Sequence, residues 1–168
     1  MKTCHALATF ILLTAATAIS AKDYTHQESG LRFSLPKGWT CTEEGGKITI
    51  ENKDKSLACV GGVIPQEAGK AIFADIKKFV DDLEGLEDAE VTGGPEKETV
   101  NGLVQTWYEG SATCLNNAGK ETEIEWDMTI ITGGKEVVFF VGMGKLDENE
   151  EAYEEFFESI RKVEESKK

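Results

Sequence analysis

The sequence is short of histidine, proline and basic side chains, and these shortages restrict what it can do. Its 168 residues include 2 histidines, 3 prolines and 18 lysines and arginines against 31 aspartates and glutamates, so the net charge is -13. Nucleic acids and anionic membrane surfaces bind clustered Lys and Arg, which argues against both as partners. The composition also excludes collagenous, coiled-coil, disordered and disulfide-scaffold classes. What remains is one globular domain, long enough to bury a core of its own.

No apolar run is long enough to span a bilayer comfortably. The longest, residues 6–20, follows Lys2 and ends among small residues, which is typical of a secretory signal peptide. We predict a signal peptide over residues 1–21; cleavage after Ser20 fits equally well, and an uncleaved segment would tether the protein. The mature protein is then periplasmic or extracellular and is not inserted in a membrane. Its net charge becomes -14, because the segment removes one lysine and no acid.

Beyond residue 21 the pattern alternates between strands, turns and two helices. We predict a flexible segment over residues 22–29, one α+β domain over 30–164 and a charged tail over 165–168. Apolar residues recur at helical spacing in 68–83 and in about 149–164, whereas the other segments alternate with a period of two. The expected fold is a mostly antiparallel twisted sheet of about seven to nine strands with two main helices packed on it.

Two glycine-containing turns predict how the later strands pair. The Asn-Gly sequence at 101–102 is a strong two-residue hairpin signal before the strand 103–115. A two-residue turn at the glycines 133–134 pairs the strands 121–132 and 135–143 with one wholly apolar face. The expected pairs are Ile130 with Val137, Met128 with Phe139, and Trp126 with Val141. Because the last strand is apolar on its other face too, we expect it to be covered on both sides.

A ladder of four carboxylates on the strand 121–132 is the strongest candidate site. Its members are Glu121, Glu123, Glu125 and Asp127. They share one face because alternate side chains of a strand point the same way, about 6.7 Å apart. A four-residue turn at 116–119 sets them opposite Cys114, Ala112, Gly110 and Tyr108. The prediction is an open acidic strip beside a tyrosine.

Three kinds of function are compatible with this ladder. It could bind a divalent cation, a polyamine or a basic protein segment, with Tyr108 as a stacking surface. Its carboxylates could also perform glycoside hydrolysis, which uses pairs separated by about 5 to 9.5 Å. The alternative without a ligand is a solvated strand face that prevents pairing with other molecules. No metal is assigned.

The remaining histidine and cysteines indicate little catalytic chemistry. His26 lies in the segment predicted to be flexible, where it is poorly placed for a Ser-His-Asp or Cys-His arrangement. Cys41, Cys59 and Cys114 have no C-x-x-C spacing, which argues against structural zinc and thioredoxin-type chemistry. No catalytic residue and no cofactor is assigned, and a non-enzymatic protein is favoured.

The cysteines leave two alternatives open. Cys41 and Cys59 are expected on opposite flanks of one strand, both across from Ile48 and about 9.5 Å apart. This separation exceeds the limit of about 7 Å for a disulfide, so a bridge would join Cys59 to Cys114. The other alternative is three inert thiols.

The stretch 30–39, Gly-Leu-Arg-Phe-Ser-Leu-Pro-Lys-Gly-Trp, resembles the opening G-x-x-F-x-(L/I)-P-x-G-W of the PsbP-like superfamily. This superfamily includes small secreted bacterial proteins of the DcrB type. Residues 156–161 resemble its terminal helix. The resemblance implies an antiparallel sheet sandwiched by helices and a role in binding, assembly or accessory functions. It carries over no site residue. Within the motif we expect Phe33 and Trp39 to fill the core, the alternative being that Trp39 stacks on a ligand.

These observations favour an exported, non-enzymatic binding or accessory protein of the cell envelope. Its partner would be a cationic or apolar protein or small molecule. The alternatives are a carboxylate-based hydrolase that uses the ladder and a cation-binding structural envelope protein.

Overall fold

The computed structural model describes residues 22–83, 86–115 and 120–163, apart from the side chains of residues 70, 71 and 115. The predicted signal peptide and charged tail lie outside these residues. Within them, no helix combines the length and apolar character needed to cross a membrane.

The described chain contains ten strands and three α-helices. The first half comprises β1 (Lys22–His26), β2 (Leu31–Leu35), β3 (Thr40–Glu44), β4 (Lys47–Glu51), β5 (Leu57–Ile64), α1 (Gln66–Ala74) and α2 (Ile76–Asp81). The second half comprises β6 (Glu87–Val100), β7 (Leu103–Leu115), β8 (Glu121–Thr132), β9 (Val137–Gly144), a short 3-10 helix (Asp147–Asn149), α3 (Glu150–Ser159) and β10 (Arg161–Lys162).

The strands form two antiparallel sheets. Seven strands pair in the order β3-β4-β5-β9-β8-β7-β6, and three pair in the order β1-β2-β10. The α+β class and the large antiparallel sheet are therefore confirmed. The small separate sheet was not predicted. It arises because β2 pairs with β1 on one side and with β10, which follows α3, on the other, and so does not join the large sheet.

The large sheet is covered on both faces. One core cluster contains the buried side chains of α3 and β2, including Phe33 and Phe156, and the partly buried Trp39 packs against it. The other cluster lies under α1 and α2. The central strand β9 contributes Phe140 to the first cluster and Val141 to the second, which confirms that it is covered on both sides.

The predicted helix 68–83 is two helices in the structure. Asp75 separates α1 from α2, and its side chain accepts a hydrogen bond from the backbone N–H of Lys78. Asp is a preferred N-cap because its carboxylate satisfies an unpaired N–H of the first turn. The predicted stripe still packs on the sheet, since Ile72, Phe79 and Val80 all belong to the second core cluster.

The segment 22–29 differs from its prediction as a flexible segment. Residues 22–26 form β1 and pair along their whole length with β2. His26 ends this strand and is only 2% exposed. The prediction failed because backbone hydrogen bonds to the next strand, β2, hold this segment, and such bonds leave little trace in the amino-acid composition.

The hairpin at 101–102 is confirmed, and the next one has a different register. Val100 pairs with Leu103 across Asn101 and Gly102, both of which have positive φ. The turn after β8 spans residues 133–136, so the observed pairs are shifted by two residues. They are Ile130 with Phe139, Met128 with Val141 and Trp126 with Met143. The predicted pairs are wrong, but the apolar face survives because an even shift keeps side chains on the same face.

Cys41, Cys59 and Cys114 are free thiols in this structure. Cys41 and Cys59 flank one strand as predicted, although both are opposite Ile50 and not Ile48. The proposed bridge between Cys59 and Cys114 is not formed. Strands β9 and β8 lie between β5 and β7, so three strand spacings alone separate the two residues by more than about 14 Å, well beyond disulfide reach.

Asn101 joins the β6–β7 hairpin to the end of α3, and its replacement should lower stability. Its side-chain amide donates to the carbonyls of Glu158 at 2.8 Å and Ile160 at 2.9 Å. Asn101→Gly keeps the positive φ but loses both bonds, so we expect the free energy of unfolding in urea to fall by about 1 kcal/mol. Asn101→Asp tolerates the same φ but cannot donate, and should lose at least as much. Wild-type stability in both variants would contradict this linkage.

Candidate functional site

A groove of about 970 Å³ lies between the β6–β8 end of the large sheet and the segment that contains the 3-10 helix and α3. The sheet forms one wall, with Trp107 and Glu109 from β7 and Asp127 from β8. The helix forms the other wall, with Glu150 and Glu154. The two walls come from separate elements, which β9 separates in the sequence, so the groove exists only in the folded chain.

The lining of this groove is strongly acidic. Its carboxyl side chains are Glu96, Glu98, Glu109, Glu125 and Asp127 from the sheet, and Asp147, Glu150, Glu154 and Glu158 from the helical side. Among the described lining residues there is no Lys, Arg or His. A concave surface with charges of one sign focuses their field, which raises the local concentration of cations. The groove is therefore built to attract positive charge.

The predicted carboxylate ladder lies partly in this groove. Glu121, Glu123, Glu125 and Asp127 occupy alternate positions of β8, as expected. Only Glu125 and Asp127 line the groove, whereas Glu121 and Glu123 are exposed nearer the start of the strand. The ladder is thus one part of a larger set of groove carboxylates. The other carboxylates of this set lie on β6, β7, the 3-10 helix and α3, and no pattern along the sequence connects them with the ladder.

The cross-strand partners predicted for the ladder are wrong by one residue. Asp127 pairs with Glu109 and Glu125 pairs with Ser111, because five residues, 116–120, separate the paired ends of β7 and β8. An odd shift moves each β7 side chain to the other face. Tyr108 consequently lies in the second core cluster, 5% exposed, and does not border the acidic strip. Its neighbour Trp107, which is half-buried, takes this place beside the acids of the sheet wall.

Glu109 and Asp127 form a carboxylate pair in the sheet wall. As direct cross-strand partners they have Cβ atoms about 4.5–5.5 Å apart. Burial raises the pKa of Asp127 to about 6, and the nearby charge of Glu109 adds to the rise. The hydroxyl of Tyr153 donates to Asp127 Oδ1 at 3.2 Å, which opposes it. A cation beside this pair would favour the ionised form of Asp127.

Tyr153 reaches Asp127 through a gap in the sheet surface at Gly142. Gly142 pairs with Cys59 on one side and with Asp127 on the other. A Cβ atom on Gly142 would overlap the Tyr153 ring and hydroxyl. Burial raises the pKa of the Tyr153 hydroxyl and of the Cys59 thiol well above their usual values. Both groups therefore stay protonated near neutral pH.

Burial suppresses the reactivity of two thiols, those of Cys41 and Cys59. Cys59 is fully buried, and burial also raises the pKa of Cys41 to about 11. The thiolate is the nucleophilic form of cysteine, so neither residue is activated for catalysis.

Gln105 places an unpartnered acceptor at the groove. Its side chain is fully buried and lines the groove, and its Nε2 donates to the carbonyl of Phe157 at 3.0 Å. Its Oε1 has no hydrogen-bond partner. A buried amide oxygen without a donor is costly, which makes this atom a suitable contact for an N–H group of a ligand.

His26 has the neighbours of a catalytic triad but not its geometry. Its Nδ1 lies 2.9 Å from Ser29 Oγ, and its Nε2 lies 3.4 Å from Glu43 Oε1. Ser29 is 1% exposed, and its hydroxyl oxygen accepts from the backbone N–H of Leu31. A nucleophile must reach a substrate carbonyl, which this buried hydroxyl cannot do. The hydrogen bonds between His26 and Ser29 stabilise the turn between β1 and β2.

A smaller cavity of about 360 Å³ opens on the other face of the sheet, beside the end of α2. Its lining is mostly apolar and includes Val60, Leu83 and Phe139. Phe140 of β9 is buried against Phe156 and Phe157 of α3 and lines neither cavity.

The fold is similar to that of several solved structures. No protein-family model matches the chain, and no curated protein matches it. The solution structure of cyanobacterial PsbP (CyanoP) from Synechocystis is similar, with a TM-score of 0.58, 17% identity, and coverage of 88% of this chain and 95% of that one. A crystal structure from Bacteroides thetaiotaomicron has a TM-score of 0.54 and 14% sequence identity, and the match covers 89% of this chain and 51% of that one. The crystal structure of LpqN, involved in cell envelope biogenesis of Mycobacterium tuberculosis, has a TM-score of 0.49 and 12% sequence identity, and the match covers 83% of this chain and 88% of that one. The chain therefore has a PsbP-like fold.

The pKa of Asp127 predicts a pH dependence of stability. The folded-state value of about 6 lies above the ordinary value of 3.8, so folding favours the protonated acid. Hence stability from this group is full below about pH 4 and is lost as the pH rises through 6. Asp127→Asn, which can still accept from Tyr153, removes this loss. The unfolding free energy of the wild type should fall relative to the variant by on the order of 2 kcal/mol between pH 4 and 7.

Urea titrations at pH 4, 5, 6 and 7 measure this difference, and Glu125→Gln is the control on the same strand. A constant difference between wild type and Asp127→Asn across this range would show that Asp127 titrates normally.

Proposed function

We propose that this chain is an exported accessory protein of the cell envelope that acts by binding a cationic partner in the acidic groove. The observation that carries the proposal is the groove itself, whose described lining contains nine carboxyl side chains and no basic one. The PsbP-like fold supplies the scaffold. The opening motif at 30–39 supports a protein of the DcrB type, and the apolar run at 6–20 supports export.

Electrostatics favours an occupied groove. Carboxylates held close together repel one another, and a bound cation relieves the repulsion. The effect is largest at the Glu109–Asp127 pair, where burial weakens screening by water and salt. Trp107 adds an aromatic face, to which cations are attracted.

A carboxylate-based hydrolase is the second candidate, because one observation favours it. Glu109 and Asp127 have the approximate separation of a retaining glycosidase pair, and the raised pKa of Asp127 suits a general acid. In this alternative, Asp127 would protonate the leaving group and Glu109 would be the nucleophile. The alternative predicted from the sequence used the ladder of Glu121, Glu123, Glu125 and Asp127 and did not include Glu109.

Binding of a compact trivalent cation tests the proposed function. Hexaamminecobalt(III) is an inert probe that reports charge, and its binding can be measured by isothermal titration calorimetry at low salt. We expect binding to the wild type and about three- to tenfold weaker binding to Glu154→Gln/Glu158→Gln, which removes two groove carboxylates.

The matched control is Glu151→Gln/Glu155→Gln, which makes the same charge change on exposed α3 residues outside the groove lining. It should bind the probe like the wild type. Equal weakening in both double variants would mean that net charge alone attracts the probe, and absence of binding to the wild type would refute a cation-binding groove.

A further inference from the structure

The carboxylates of the groove form an elongated array. On the helical wall, Glu150, Glu154 and Glu158 recur at intervals of four residues, so they lie along one side of α3 over about 12 Å. On the other wall, the acids are distributed over β6, β7 and β8. Within the described part of the chain, no three His, Cys, Asp or Glu side chains gather closely enough to hold a metal ion. Such an array matches positive charges that are spaced along a line.

The groove also offers acceptors in preference to donors. Carboxylates near neutral pH accept hydrogen bonds and do not donate them, and the unpartnered Gln105 Oε1 is a further acceptor. Two donors of the lining are already engaged, since Asn101 donates to α3 carbonyls and Tyr153 donates to Asp127. The complementary ligand is rich in N–H groups and needs few donors from the protein.

Apolar surface lies between the charges. Trp107 from the sheet and Leu146 and Phe157 from the helical side all line the groove. Methylene groups of a ligand could pack on these side chains while its charged nitrogens contact the carboxylates, as the stems of lysine side chains do on protein surfaces.

We propose that the ligand of the groove is a linear polyamine, a chain of ammonium groups joined by methylene segments. One ammonium group lies between Glu109 and Asp127, others pair with the carboxylate row of α3, and Gln105 Oε1 accepts a further N–H. This inference rests on the proposed function. A basic peptide of equal charge fits less well, because each residue brings a backbone carbonyl that the acceptor-rich lining leaves without a donor.

Three trivalent cations separate shape and hydrogen bonding from charge. Spermidine is linear and has only N–H donors when charged, hexaamminecobalt(III) is compact, and trilysine adds peptide carbonyls. Because their net charge near neutral pH is the same, long-range attraction is similar for all three. In calorimetric titrations of the purified protein at low salt, we expect spermidine to bind at least about tenfold more tightly than either of the others.

Two variants locate the spermidine site. Glu154→Gln/Glu158→Gln should weaken spermidine binding about three- to tenfold, whereas Glu151→Gln/Glu155→Gln should not. Trp107→Leu should weaken spermidine binding about threefold or more and weaken hexaamminecobalt(III) binding less, because only the polyamine also packs methylenes on the ring. Melting curves verify that each variant is folded, and Trp107→Phe replaces Trp107→Leu if that variant is not.

The outcomes separate this inference from the proposed function. If hexaamminecobalt(III) binds as tightly as spermidine, the groove binds cations but is not built for a polyamine. If trilysine binds most tightly, a basic protein segment is the partner and the polyamine inference is wrong. If none of the three binds, the proposed function fails together with it.

Discussion

Both the core beneath α3 and the acidic groove depend on one constraint, the packing of Tyr153 over Gly142. It seats α3 on the sheet, because a side chain at residue 142 would occupy the space of the tyrosine ring. The same tyrosine hydrogen-bonds Asp127, the most buried acid of the groove, so core and groove meet at one contact. Phe156 and Phe157 extend this seating into the core through edge-to-face contacts with Phe140. The position of the helical wall therefore follows from how the core is packed.

The groove works against the stability of the fold that forms it. Burying Asp127 beside Glu109 disfavours the charged form, and the lining contains no described basic side chain that would compensate. Residues retained against stability are typical of functional sites, where activity and stability trade off. The exposed ion pairs elsewhere, such as Lys77 with Asp81, are of the kind that contributes little.

Sequence patterns predicted the elements of this fold better than its pairings. The period of two located most strands, and the Asn-Gly pair at 101–102 specified its turn, since positive φ at both residues leaves few alternatives. Connection length was harder to predict, because nothing in residues 116–120 distinguishes a four-residue from a five-residue link. That single residue decides whether Tyr108 or Trp107 faces the acids. The two-residue shift in the pairing of β8 with β9 kept the predicted apolar face, because an even shift leaves each side chain on the same face.

The rest of the site depends on contacts between distant parts of the chain. Glu154 and Glu158 look like the solvated side of an amphipathic helix, and only the docking of α3 shows that they face Glu96 and Glu98. His26 was misplaced for a different reason, since its burial depends on the pairing of β1 with the neighbouring strand β2. Local periodicity carries no information on either.

The outer border of the groove is β6, the last strand of the large sheet. Its pairing with β7 shifts register three times before Glu96, and Pro95 has no N–H to offer. Its exposed glutamates would repel a second copy of the same strand. Lateral growth of the sheet by self-association is therefore disfavoured at this margin, which leaves the entrance to the acidic groove unobstructed.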